Sequence, residues 1–230
     1  MALPVLFLVI FASVFGGNTI KVAGGRIDTS VAYVPGIMAL GIIAAAFINL
    51  VISVTAQRET GVLKRRRATP VPAAALIAGR ALVAVVAALV IACVLLAVGW
   101  AAYGAHVPAH TAAALALTII VGAISFCCLG FALASVIHDQ DAAQPMTQAL
   151  ILPLYFISGV FVPASQLPKW LLDVAGVFPV RHLAAALLTA YNPHTHGSGL
   201  ATLDVLIVAA WGAAGLAFAL RRFQWNPIGH

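Results

Sequence analysis

The chain has 230 residues, 63% of them hydrophobic and only 8% charged, with a mean hydropathy of +1.08. Soluble domains carry roughly 25% charged residues, so a water-facing globular surface is excluded and an all-α polytopic membrane protein is expected. The net charge of +6 is no pointer to nucleic acid, because the positive cytoplasmic loops of a membrane protein give the same excess.

A membrane-crossing helix needs roughly 20 apolar residues, and six spans are read along a single transmembrane domain covering residues 1–230. The first, residues 2–15, is short. About 15 residues at about 1.5 Å each give roughly 22 Å, against a hydrocarbon core of about 30 Å. A cleaved signal peptide fails for want of a basic leading region and of a small-x-small site before Lys21. The expectation is instead that an inner segment preceding this span is missing from the chain. The second span is read at 34–56 and the third at 72–101, with Arg80 near its inner end. The fourth is read at 112–137, the fifth at 145–162 and the sixth at 203–220. Short outer re-entrant or interfacial helices are expected within residues 163–199, where prolines alternate with the apolar pieces 167–178 and 180–191. These pieces are too short to span and too apolar for a free loop.

Between the second and third spans lies the loop 58–72, RETGVLKRRRATPVP, which holds five of the twelve Lys and Arg residues and the sole glutamate, Glu59. Positive loops stay in the cytoplasm. Placing this loop inside puts Arg58, Lys64, Arg65, Arg66, Arg67, Arg80, Arg221 and Arg222 inside, and Lys21, Arg26, Lys169 and Arg181 outside. Both termini are then cytoplasmic. Trp100, Tyr103, Trp170, Tyr191 and Trp225 fall near the proposed interfaces, where amphipathic rings are favoured.

Much chemistry is missing. There is no G-x-x-x-x-G-K-[ST] stretch to cradle ATP phosphates and no H-E-x-x-H. Ser158-Gly159 has no membrane-buried histidine to act as its base. Cys93, Cys127 and Cys128 lie in apolar runs without metal-ligand spacing. The span centres carry no ionisable residue, which argues against an ion-coupled transporter or a channel. No cofactor bound by this chain is expected, and a transporter of this composition must take its energy from another chain.

Four stretches then matter together. Phe15-Gly16-Gly17 follows the first span, and Tyr33-Val34-Pro35-Gly36 heads the second. In the basic loop an acidic residue, a glycine, a leucine and a Thr-Pro follow one another as Glu59, Gly61, Leu63, Thr69 and Pro70. At the outer end of the fifth span, FISGVFVPASQLPKWL carries Ser158, Gly159, Pro163, Leu167, Pro168 and Trp170, with Pro179 beyond. With these stretches in this order, the chain resembles the permeases of the type-2 ABC exporter family, which includes drug, polyketide and polysaccharide exporters. Members of that family usually carry a cytoplasmic stretch and an elbow helix before the first span, and the expectation is that this is the segment absent here or never assigned to the chain.

The resemblance implies a bacterial inner-membrane permease subunit with no catalysis of its own. It would pair with a second permease subunit and be driven by two copies of a separate ATP-binding subunit, which hold ATP and Mg. It implies an ATPase-coupling loop carried by Arg58, Glu59, Gly61, Leu63, Thr69 and Pro70. Gly61 suits a tight bend and Pro70 and Pro72 a stiff exit. The run 64–67 either enforces topology alone or also docks, and it suits anionic membrane lipid at about 1 kcal/mol per residue.

A substrate path is expected along Ile42, Ala46, Asn49 and Ser53 of the second span and along Gln148, Leu152, Tyr155 and Ser158 of the fifth, each set at helical spacing. Interhelical bonding by Asn49 and Gln148 is the open alternative. An outer gate, or a purely structural cap, is expected at Gly159, Phe161, Pro163, Pro168 and Trp170. The cargo expected is a hydrophobic drug or natural product. A lipid-linked glycan or polysaccharide, or a scaffold without transport, are the alternatives.

Overall fold

The computed structural model describes residues 2–17, 19–22, 25–59, 73–104, 106–137, 139–162 and 167–222. Helix α1 covers Ala2–Phe15, and a two-stranded antiparallel hairpin follows, β1 at Thr19–Val22 and β2 at Gly25–Asp28, in register Thr19 to Asp28. Helix α2 runs over Thr29–Glu59 with a π-turn at Ala44–Ile48. Helix α3 is Ala73–Tyr103; a 3-10 turn at Ala109–Thr111 leads into α4, Ala112–Ala134. Helix α5 is Gln140–Ile157, α6 Lys169–Ala175, α7 Pro179–Tyr191 and α8 Thr202–Arg222.

In lipid, backbone N–H and C=O groups must be satisfied within the segment, and apolar runs this long satisfy them as helices. Four helical segments are long and apolar enough to cross a membrane: Thr29–Glu59, Ala78–Tyr103, Ala109–Ala134 and Thr202–Arg222. A fifth is added if α6 and α7, bent by 103° at their break, count as one span. The expected six is therefore not the count among the described residues. Helix α1 is apolar but short over Pro4–Val14. Helix α5 is not among the four because its first half, QDAAQPMTQ, is polar. It also starts five residues before the expected 145, because Asp139 caps it by accepting from the Asp141 N–H at 3.0 Å. The hairpin is a further departure from an all-α chain, in a stretch read as outer loop.

Helix α2 is the axis of the bundle. Of its apolar window 67% is buried, against 22% for α3 and for α8, whose outward faces carry residues such as Leu82, Val86 and Leu206. Small residues set the closest approaches. Gly130 of α4 lies against Leu50 and the Phe47 carbonyl of α2, and Gly122 of α4 against Leu183 of α7. Gly212 and Gly215 of α8 lie on Ser125 and Leu129 of α4. Association in lipid depends on such packing, since apolar side chains gain little by leaving one apolar medium for another.

Candidate functional site at the two ends of the bundle

One end of the bundle, the basic end, gathers the last turn of α2, the last turn of α4 and the start of α5. Arg58 is 4% exposed there. Its Nη1 donates to the Ala134 carbonyl at 3.1 Å, and its Nη2 donates to the Ile137 carbonyl. Ala134 is the last residue of α4 and Ile137 lies in the turn just beyond it, where carbonyls lack intrahelical partners and the helix dipole is negative. Glu59, the next residue, accepts from the Gln140 N–H at 3.2 Å, at the positive start of α5. One turn deeper, Ser53 accepts from Gln57 Nε2 and from Arg80 Nη1, each at 3.0 Å. The Arg80 bond thus ties α3 to α2.

Arg58, read from sequence as part of the ATPase-coupling loop, is buried against the end of α4. Nothing in the residue pattern distinguishes a buried arginine at a helix end from a solvated one beside a basic run. Gly61, Leu63, Thr69, Pro70 and the run 64–67 lie outside the described residues, as do Pro163 and Trp225.

The two stripes expected along the path are divided. Ile42 and Ala46 are fully buried in the chain's own core, whereas Asn49 is exposed and Ser53 half-buried. The π-turn at Ala44–Ile48 is the cause. It inserts a residue into the turn and rotates everything after it away from the 3.6 period assumed for an unbroken helix. On α5, Gln148 is half-buried and Leu152 is 49% exposed, while Tyr155 is buried with its hydroxyl 3.5 Å from the Leu40 carbonyl of α2. Ser158 Oγ is buried with no hydrogen-bond partner among the described residues.

At the opposite, hairpin end, α5 leaves the bundle through Gly159 at φ +87°, a conformation that suits glycine. The turn brings the Val160 carbonyl against Gly36 of α2 and drops Phe161 among Phe7, Phe11, Tyr155 and Phe156, stacked on Phe11 at 5.4 Å. Pro168 sits at the start of α6, and Trp170 on α6 stands 65% exposed, apart from this ring cluster.

The α6–α7 bend carries residues that sequence patterning did not single out. His182 Nδ1 lies 2.6 Å from Asp204 Oδ1 of α8, and its Nε2 lies 2.8 Å from the Gly176 carbonyl in the bend. Trp211 Nε1 donates to the Val177 carbonyl at 3.1 Å. Two side chains of α7 and α8 therefore hold the corner that points α6 away from α7. Asp204→Asn is expected to raise amide hydrogen exchange over residues 176–182 roughly fivefold, the loss of about 1 kcal/mol from a partly exposed charged hydrogen bond. Exchange at the basic end should not change. Mass-spectrometric exchange in nanodiscs measures both, and equal protection in the variant would show that the corner holds without this pair.

Among the described residues no group of three His, Cys, Asp or Glu is placed to hold a metal ion. What the geometry offers is mechanical: a central helix whose one end grips two other helices and whose other end packs under a capped rim.

A multi-pass helical membrane protein of this build is matched by one family over most of its length. Residues 1–191 match the family described as ABC-2 type transporter, and the chain belongs to that family. It is 25% identical over 179 residues to the "Probable multidrug ABC transporter permease YbhR" of Escherichia coli strain K12, and equally to the protein of that name from Escherichia coli O157:H7. The match covers 77% of this chain and 46% of the relative in each case, so the chain spans about half the length of the curated relatives it matches.

Proposed function

We propose that the chain is the membrane-spanning permease subunit of an ATP-driven exporter, carrying a hydrophobic drug or natural product out across a bacterial inner membrane. It works beside a second permease subunit and two copies of a separate ATP-binding subunit, which hold the ATP and Mg. The family match over residues 1–191 carries this reading. The multidrug name of the relatives supports the cargo class. The basic end faces the cytoplasm, following the positive-inside rule.

In this reading closure of the ATP-binding subunits presses on the loop 58–72. The push enters α2 at its last turn. Because α2 is the central helix, a tilt there moves its contacts with α3, α4 and α7 together. The mixed surface of Asn49, Gln148 and Leu152, polar groups among apolar ones, suits an amphipathic cargo.

The test is reconstitution. Tagged full-length chain is expected to co-purify with an ATP-binding subunit, and inverted vesicles holding both to accumulate a fluorescent hydrophobic cation only with ATP. Deleting residues 61–63 should cut both the recovery of that subunit and the uptake at least tenfold. A protein that purifies stably without any ATPase, and whose vesicles show no ATP-dependent uptake across a panel of hydrophobic dyes, would defeat the reading.

A further inference from the structure

Two consecutive side chains at the end of α2 hold the two helices on either side of one corner. Arg58 takes the carbonyl end of α4 through Ala134 and Ile137, and Glu59 takes the amide start of α5 through Gln140. Each charge has the sign its helix end favours: a cation at the negative C-terminus, an anion at the positive N-terminus. Beside the corner, Ser135 Oγ donates to the Ala132 carbonyl at 2.6 Å at the end of α4, and Asp139 accepts from the Asp141 N–H at 3.0 Å at the start of α5. The two helices on either side of the corner are thus both held from outside by α2.

Burying a guanidinium costs desolvation that an apolar side chain of similar length would avoid. Cohesion alone would be served as well by methionine, whereas a fork of donors fixes α4 at a definite height against α2. The grip also lies immediately before the loop 60–72, so a force on that loop that enters α2 passes through residues 58 and 59.

We propose that Arg58 and Glu59 are positioning residues that bind the α4–α5 corner to the end of α2, so that movement of the 60–72 loop is delivered to α5 as part of one rigid body. This rests on the permease reading above and deepens it. The force does not travel up α2 alone. It enters α5 from below, through the Gln140 amide, and so reaches the helix that carries Gln148, Leu152 and Tyr155 without crossing the core.

The experiment uses the full chain in proteoliposomes with the ATP-binding subunit that co-purifies with it, in a Cys93→Ser background. A reporter thiol is placed by Gln144→Cys on the exposed side of α5. Maleimide labelling of that thiol with and without ATP, and dye transported per ATP hydrolysed, are read in Arg58→Met, Glu59→Ala and Glu59→Gln. The parent should show an ATP-dependent change in labelling of threefold or more. In Arg58→Met and Glu59→Ala the change should shrink to within about 1.5-fold, and transport per ATP should fall at least tenfold. Glu59→Gln keeps an acceptor for the Gln140 N–H and should retain most of both. Glu59 is exposed, so Glu59→Ala decides the matter even where Arg58→Met is recovered poorly. Parental labelling change and parental coupling in Glu59→Ala would overturn the inference. So would equal damage in Glu59→Gln and Glu59→Ala, which would assign Glu59's role to its charge and not to the bond it accepts from the Gln140 N–H. A parent protein without ATP-dependent transport would bring down the permease reading, and this inference with it.

Discussion

Gly212→Leu is expected to pry α8 from α4 and lower the melting temperature of the detergent-solubilised protein by roughly 6–12 °C, the equivalent of about 3 kcal/mol in a chain of this size. A Cβ at position 212 would sit 2.6 Å from Ser125 Oγ and 2.7 Å from both Ser125 Cα and Cβ. The hydroxyl could turn aside, but the Cα cannot move without the backbone of α4. One turn on, a Cβ at Gly215 would meet the Leu129 amide nitrogen at 3.1 Å and its Cα at 3.2 Å. Glycines at i and i+3 thus create a flat strip on which two backbones touch, and helix association in a bilayer rests on such van der Waals contact. No hydrophobic gain offsets the separation, because lipid would fill the gap at little cost. Ala213→Leu, on the exposed side of the same turn, is the control and should melt with the parent. Differential scanning fluorimetry, with Trp211 beside the contact as reporter, makes the measurement. A Gly212→Leu protein melting within about 2 °C of the parent would show that α8 has slack against α4.

The membrane class and most of the helices were legible because the bilayer leaves few choices. A run such as residues 112–134 has to be helical, and its length sets its span. What the periodicity did not carry were the departures from regularity. The five residues Ala44–Ile48 contain nothing but Ala, Phe and Ile, so the π-turn that separates buried Ala46 from exposed Asn49 has no compositional mark. The hairpin strands are only four residues each and hold Lys21 and Arg26, which read as loop charges. Arg58 was visible as a cation beside a basic run, but its partners are backbone carbonyls of Ala134 and Ile137, and carbonyls carry no sequence identity at all. His182 and Asp204 stand 22 positions apart, in segments assigned separately to an outer piece and to a span. Only the return of α8 beside the α6–α7 bend makes them neighbours. The ring cluster around Phe161 was half legible: the residue was chosen for its place after α5, while Phe7 and Phe11 lay in a segment read only as a short first span.

Gly36→Leu is the second large effect, and it acts at the hairpin end. A Cβ there would stand 2.7 Å from the Val160 carbonyl oxygen and 3.5 Å from its carbonyl carbon and Cα. The obstacle is backbone, in the turn that Gly159 makes possible, so the whole segment 159–161 must retreat from α2. Phe161 moves with it and loses its stack on Phe11, and the buried Tyr155 hydroxyl drifts from Leu40. Overpacking of this kind costs about 1–3 kcal/mol, less than unfolding requires, so the protein should still be recovered in the membrane. The consequence is instead geometric: the rim that α1, α2 and the α5 exit share is held open. In the proposed exporter this is the outward face of the path. ATP-dependent dye uptake into inverted vesicles should fall at least tenfold while the ATP-binding subunit is still recovered with the chain. Gly79→Ala, where a Cβ would meet nothing within 4 Å, should leave uptake unchanged. Intermediate loss is expected from Gly36→Ala, since the clash begins at the Cβ itself and grows with each added atom. Full transport by Gly36→Leu would mean that the segment 159–161 yields freely, and the outer gate would then have to be sought away from the α5 exit, at the α6–α7 corner held by His182 and Trp211.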